Sequence, residues 1–137
     1  MGGNFKIYVD GGAKGNPGPA GIGIIIVDEK GNVIKEISEG IGIKTNNQAE
    51  YLALIKGLEE GLKFNLENVD FFLDSELVVR QLKGIYKIKN KELQKLFKKA
   101  QKLILKYKNI SFSHIPREKN KLTDKLVKKA IKSIAKK

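Results

Sequence analysis

The 137-residue chain has no cysteine, which excludes both a disulfide framework and a thiolate zinc site and leaves it compatible with a reducing cytosol. No apolar run approaches the ~20 residues of a membrane span. The N-terminus lacks the basic segment and apolar stretch of a signal peptide. Histidine is almost absent, His114 being the only one. Acid is scarce as well: 15 Asp and Glu against 27 Lys and Arg leave a formal charge of +12. Such a surface attracts polyanions, nucleic acid above all. Lysine-rich helices are also often just solvated faces, and lysine enrichment marks thermophilic proteins, so charge alone does not name the partner. The absences point to a cytoplasmic protein without a membrane segment. The length suits one domain over residues 1–137, with no repeat or linker.

Residues 5–9 (FKIYV) read as a strand ending at Asp10, followed by GGAKGNPGPAG, too rich in Gly and Pro for a regular element. The apolar run 22–28, a turn at DEKGN and the alternating segment 33–43 complete an antiparallel meander. Thr45 or Asn46 caps a helix over 47–62, with Leu52, Ile55, Leu58 and Leu62 at helical spacing. VDFFL (69–73) is a strand closed by Asp74, and SELVVRQLKG a short helix bounded by Ser75 and Gly84. An amphipathic helix spans 91–107, a last strand 109–115, and a final helix starts near Asn120, its basic end IKSIAKK expected to fray. The order βββ-α-β-α-α-β-α predicts an α/β fold with one mixed five-stranded sheet and helices packed on it.

Four acids stand out by context: Asp10 and Asp74 at strand ends, Glu50 and Asp124 in first helical turns. Oxygen-only clusters suit hard divalent cations. Two such ions ~3.5–4 Å apart can drive phosphodiester hydrolysis, one activating water and the other stabilising the leaving oxygen. Taken singly, Asp74 and Asp124 are better explained as acids favoured by a helix N-terminus. The four motifs in sequence order favour the catalytic reading.

DGGAKGNPGPAGIG, TNNQAEYLALIKGLE, LDSELVVRQLKGIYKIKN and IPREKNKLTDKL span nearly the whole chain and together resemble the type 1 ribonuclease H family. The resemblance implies the ribonuclease H-like fold and metal-dependent cleavage of the RNA strand of RNA/DNA hybrids, leaving 5′-phosphate and 3′-hydroxyl ends. It implies Asp10, Glu50, Asp74 and Asp124 as catalytic ligands of two Mg²⁺ ions, with Mn²⁺ as the alternative. Gly11, Asn16, Asn46, Asn47 and Gln48 fall where the family contacts the hybrid, several near ribose 2′-hydroxyls, although Gly11 serves equally well as a turn residue. The partner expected is an RNA/DNA hybrid, with double-stranded RNA as a further candidate. A monomer is expected.

The chain departs from the family pattern at three places. Glu76 stands where many members have glutamine. GIYKIKNKEL joins two helices directly, where many bacterial members insert a basic handle, and Lys87 and Lys89 are assigned the electrostatic part of that role. His114 alternates with Ile110 and Phe112 on one strand face, which makes it a half-buried structural residue and aligns the chain with variants whose loop reads PREKN and lacks a mobile histidine. The competing class is a non-catalytic module that holds hybrid or double-stranded RNA, but such a binder gains nothing from four carboxylates facing phosphates. Integrase- and resolvase-like enzymes lack the NNQAEY and DSELVV contexts. A membrane-surface protein explains the lysines and none of the motifs.

Overall fold

The computed structural model describes residues 4–135. β1 (Phe5–Ala13), β2 (Gly18–Val27) and β3 (Val33–Lys44) form the meander, and α1 (Asn46–Lys63) leads to β4 (Asn68–Leu73). α2 (Glu76–Leu82), α3 (Lys91–Ile104), β5 (Asn109–His114), a 3₁₀ turn over Arg117–Lys119 and α4 (Lys121–Ala135) follow. The five strands lie in the order β3-β2-β1-β4-β5. β1–β2 and β2–β3 are antiparallel, β1–β4 and β4–β5 parallel. The expected element order and mixed sheet are both present.

Alternation along β1 divides the molecule into layers. Ile7 and Val9 face α1 and join Ile24, Ile26, Leu54, Leu58 and Phe71 in the main core. On the opposite face α4 lies across β2 and β3. It lies very close: a Cβ at Gly23 would come within 2.5 Å of the Thr123 carbonyl oxygen, so the helix rests on bare strand backbone. Gly11 plays the same part on the α1 side, where a Cβ would collide with the Ala49 carbonyl. These two contacts bring the start of each helix down onto the sheet.

Three expectations need correction. The glycine-rich segment is largely regular: β1 continues through Gly11–Ala13 and β2 already starts at Gly18, with Gly12 paired to Gly21 and Ala13 to Ala20. An antiparallel ladder uses only backbone groups, so side-chain composition does not forbid it. The helix expected to reach residue 107 stops at Ile104. Tyr107 instead turns inward, donating its hydroxyl to the Leu58 carbonyl at 2.6 Å and meeting Phe71 edge to face. The C-terminal segment expected to fray is helical through Ala135, and its last two residues lie outside the described residues. At the N-terminus of α1 the cap is Thr45, which exchanges hydrogen bonds with Gln48 in a capping box.

Candidate active site

Asp10 is the centre of the site. β1 carries it into the middle of the sheet opposite Gly23, where it is only 6% exposed. The β1–β4 ladder ends at Val9↔Leu73, so Asp74, the next residue of the chain, lies beside Asp10 as β4 gives way to α2. Glu50 arrives from the other layer, placed by the close packing of Ala49 on Gly11. The Gly11 N–H and the Ser75 hydroxyl both donate to its carboxylate. Ser75 also caps α2 by accepting from the Val78 N–H, so one residue ties the third acid's helix to the second acid. Tyr51, next to Glu50, is fully buried and donates to Gln81 on α2 at 2.5 Å, which locks the two helices together.

Carboxylate oxygens of Asp10, Glu50 and Asp74 all lie within 4.8 Å of one another. Asp124 sits in the first turn of α4, near enough to repel Asp10 and Asp74, but its carboxylate pairs with Lys128. Burial first, and then repulsion from Asp74, Glu50 and Asp124, pushes the Asp10 carboxyl up to about 9, against the pull of the Arg117 guanidinium. Burial likewise raises Glu50 to about 7, opposed by its Ser75 and Gly11 hydrogen bonds. Asp74 is raised by burial too, with the Asn120 amide and Arg117 acting in the other direction. A cluster whose central acid holds its proton at neutral pH is short of positive charge. The donors are all hard carboxylate oxygens, a set that fits Mg²⁺ or Mn²⁺ and not a soft metal.

The hybrid-contact candidates form a second group around the N-terminus of α1. Asn16 Oδ1 accepts from the Asn46 N–H and Asn46 Oδ1 from the Ala13 N–H, both at 2.9 Å, so the β1–β2 loop is stitched to the helix. Gln48 Oε1 accepts from the Thr45 N–H at 2.9 Å. The oxygens of these three side chains are thus committed internally, and their NH₂ groups make none of the hydrogen bonds found among the described residues. Asn16, Asn47 and Gln48 line a pocket of about 220 Å³ with Asn90, Glu92 and Leu93 of the α3 start. Lys87 and Lys89 are exposed on the α2–α3 connection, outside the acidic cluster. Glu76 takes a two-pronged pair with Arg80, at 2.7 and 2.8 Å.

His114 ends β5 beside Leu73, as a strand residue, but it is exposed and not half-buried. β5 is an edge strand of the sheet, and His114 is its last residue. Sequence reasoning missed Ser75 as a partner of Glu50, Asn90 in the amide-lined pocket, and the roles of Arg117 and Asn120. The only signal for the last two was their place in the PREKN loop just before Asp124.

The reverse transcriptase-like family matches residues 8–130. Ribonuclease HI of Halobacterium salinarum is 37% identical over 130 residues, covering 95% of this chain and 65% of that protein. The bifunctional protein Rv2228c of Mycobacterium tuberculosis is 38% identical over 130 residues, of which this chain spans 94% and 36% respectively. The chain therefore spans about a third of the mycobacterial relative's length. Among solved structures, LC11 ribonuclease H1, isolated from compost by a metagenomic approach, is 48% identical with a TM-score of 0.91, covering 96% of this chain and 98% of that one. A second structure of that protein, in complex with an RNA/DNA hybrid, has a TM-score of 0.90 over 96% of this chain and 99% of that one.

Proposed function

The chain belongs to the ribonuclease H family of reverse transcriptase-like domains, and on that premise we propose that it is a metal-dependent endoribonuclease hydrolysing the RNA strand of RNA/DNA hybrids. The observation that carries this reading is the convergence of Asp10, Glu50 and Asp74 within 4.8 Å, where burial and mutual repulsion outweigh the opposing pull of Arg117 on Asp10. Asp10, Glu50 and Asp74 would hold divalent ions, Mg²⁺ or Mn²⁺, with Asp124 completing the set. Two ions bound there would supply a nucleophilic water and Lewis-acid stabilisation of charge developing on the phosphate.

The chain's own groups do the rest. Gly11 and Ser75 orient Glu50 by donating to it. The NH₂ groups of Asn16, Asn46 and Gln48, together with Asn47, donate to ribose hydroxyls, the feature that separates RNA from DNA. Lys87, Lys89 and the lysines of α3 neutralise backbone phosphates without reading sequence. The products are 5′-phosphate and 3′-hydroxyl ends. A single domain working as a cytoplasmic monomer is consistent with this chemistry, and among the described residues no helix is long and apolar enough to cross a membrane.

The test is one set of reactions: labelled RNA/DNA hybrid, double-stranded RNA and single-stranded RNA, each with Mg²⁺, Mn²⁺ or chelator. Metal-dependent cutting of the hybrid RNA strand supports the reading. Tight hybrid binding without cleavage in either metal would replace it with the non-catalytic module.

A further inference from the structure

Asn120 is 2% exposed, directly ahead of α4, and it meets three of the four acid-bearing elements at once. Its Nδ2 donates to the Val9 carbonyl at 3.0 Å, one residue before Asp10 and at the last rung of the β1–β4 ladder. The same nitrogen lies 3.4 Å from Asp74 Oδ2. Its backbone carbonyl accepts the Asp124 N–H at 3.1 Å and the hydroxyl of fully buried Thr123 at 2.8 Å. The side-chain orientation is forced: flipping the amide would set its oxygen against two acceptors. In the observed orientation Oδ1 is buried and accepts from no protein group among the described residues. The donor's two acceptors are the backbone beside one acid and the carboxylate of another.

We propose that Asn120 is a positioning residue for the metal centre: through one amide and one carbonyl it fixes the spacing of Asp10, Asp74 and the start of α4 that carries Asp124. It touches no reacting atom in this role. It holds Asp74 Oδ2 by donating to it, which leaves the remaining lone pairs of that carboxylate for an ion, and it carries β1 past the point where β4 departs. Residues that orient metal ligands through hydrogen bonds commonly contribute 10- to 100-fold to metal affinity.

The proposal rests on reading the acidic cluster as a metal centre, and the experiment separates the two. Mn²⁺ binding to the substrate-free protein is measured by calorimetry, alongside the thermal midpoint, for wild type, Asn120→Ala, Asn120→Leu and Thr123→Val. Thr123→Val removes a buried hydrogen bond to the same residue's backbone without touching a carboxylate, so it is the stability control. The expected result is Mn²⁺ affinity at least tenfold weaker in Asn120→Ala and in the similarly sized, uncharged and donor-less Asn120→Leu. Thr123→Val should lower the midpoint and leave the affinity within twofold of wild type. The metal concentration for half-maximal hybrid cleavage should rise by the same factor as the calorimetric constant. If Asn120→Ala does not fold, Asn120→Ser, whose single hydroxyl hydrogen serves one acceptor at a time, carries the comparison with Asn120→Leu. Wild-type Mn²⁺ affinity in these variants, with only the midpoint lowered, would overturn the assignment to Asn120. A wild-type protein that binds no Mn²⁺ would instead remove the metal-centre reading itself.

Discussion

Asp124 faces Lys128 one turn along α4, its carboxylate 3.0 Å from the ammonium, while Glu50 and Asp74 gather around Asp10. The lysine is mostly exposed and the carboxylate partly so. Asp124 is also close enough to Asp10 and Asp74 to repel both, so the ammonium and a divalent ion would compete for the same carboxylate.

Replacing that lysine should therefore help metal binding slightly. Exposed ion pairs are worth up to about 1 kcal/mol, roughly fivefold in an equilibrium. Lys128→Met is expected to lower the Mg²⁺ concentration for half-maximal cleavage by up to about fivefold and to leave the saturated rate within about twofold. An increase in the Mg²⁺ requirement would show that Lys128 supports the site and does not compete for it.

The pH dependence of stability without metal follows from Asp10. Its folded-state affinity for a proton is raised, from 3.8 to about 9, so folding favours the protonated form. That contribution is fully present below pH 3.8 and is lost as pH rises, the loss being complete past about 9. Glu50 adds a loss of the same sign, between 4.5 and about 7. Each tenfold in proton affinity is worth about 1.4 kcal/mol, several degrees in the midpoint of a domain this size. In chelator, the thermal midpoint of wild type should fall between pH 5 and 9. Asp10→Asn should flatten that fall and be the more stable protein at pH 9. Parallel curves for the two proteins would mean that Asp10 is ionised throughout.

Asn47 and Gln48 are neighbours with different duties. Asn47 is exposed and makes none of the side-chain hydrogen bonds found among the described residues, whereas Gln48 closes the capping box of α1. Asn47→Ala should slow hybrid cleavage by about 2- to 13-fold, the worth of one hydrogen bond of ~0.5–1.5 kcal/mol, with an unchanged midpoint. Gln48→Ala should lower both cleavage and the midpoint, the latter by about 0.5–2 kcal/mol of capping. Steady-state cleavage and thermal melts on both variants check this.

The acids were legible because each sits in a local pattern that fixes its place: a strand end or a first helical turn. Their grouping came from the resemblance of the four motifs, in sequence order, to those of ribonuclease H, and the strand order β3-β2-β1-β4-β5 that makes Asp10 and Asp74 neighbours came from the structure. What the chain did not disclose depends on contacts between distant segments. Asn120 finds the Val9 carbonyl 111 positions away, and no local pattern around either residue announces the meeting. Gly11–Ala13 pair as strand because β2 returns beside them, which their composition argues against. Tyr107 leaves the α3 pattern for the Leu58 carbonyl, although the apolar period alone would continue the helix. The alternation that put His114 on the Ile110–Phe112 face was sound, but its burial depended on being at the end of an edge strand.

That exposure revises what His114→Ala should do. An exposed side chain that makes no hydrogen bond or ion pair among the described residues costs little when truncated, within about 0.5 kcal/mol, and turnover should stay within a few fold. A loss of 10²-fold or more in the rate under saturating hybrid, the range of a proton-transfer group, would place the histidine in the chemistry.

The most direct measurement is cleavage of a 5′-labelled RNA/DNA hybrid by wild type and Asp10→Asn at saturating Mg²⁺, with folding of both checked by their thermal midpoints. The account predicts cutting of the RNA strand by wild type, a loss of at least about 10³-fold in Asp10→Asn because the central ligand is gone, and a midpoint in chelator no lower than wild type. Asp10→Asn that cleaves within tenfold of wild type while fully folded would contradict it.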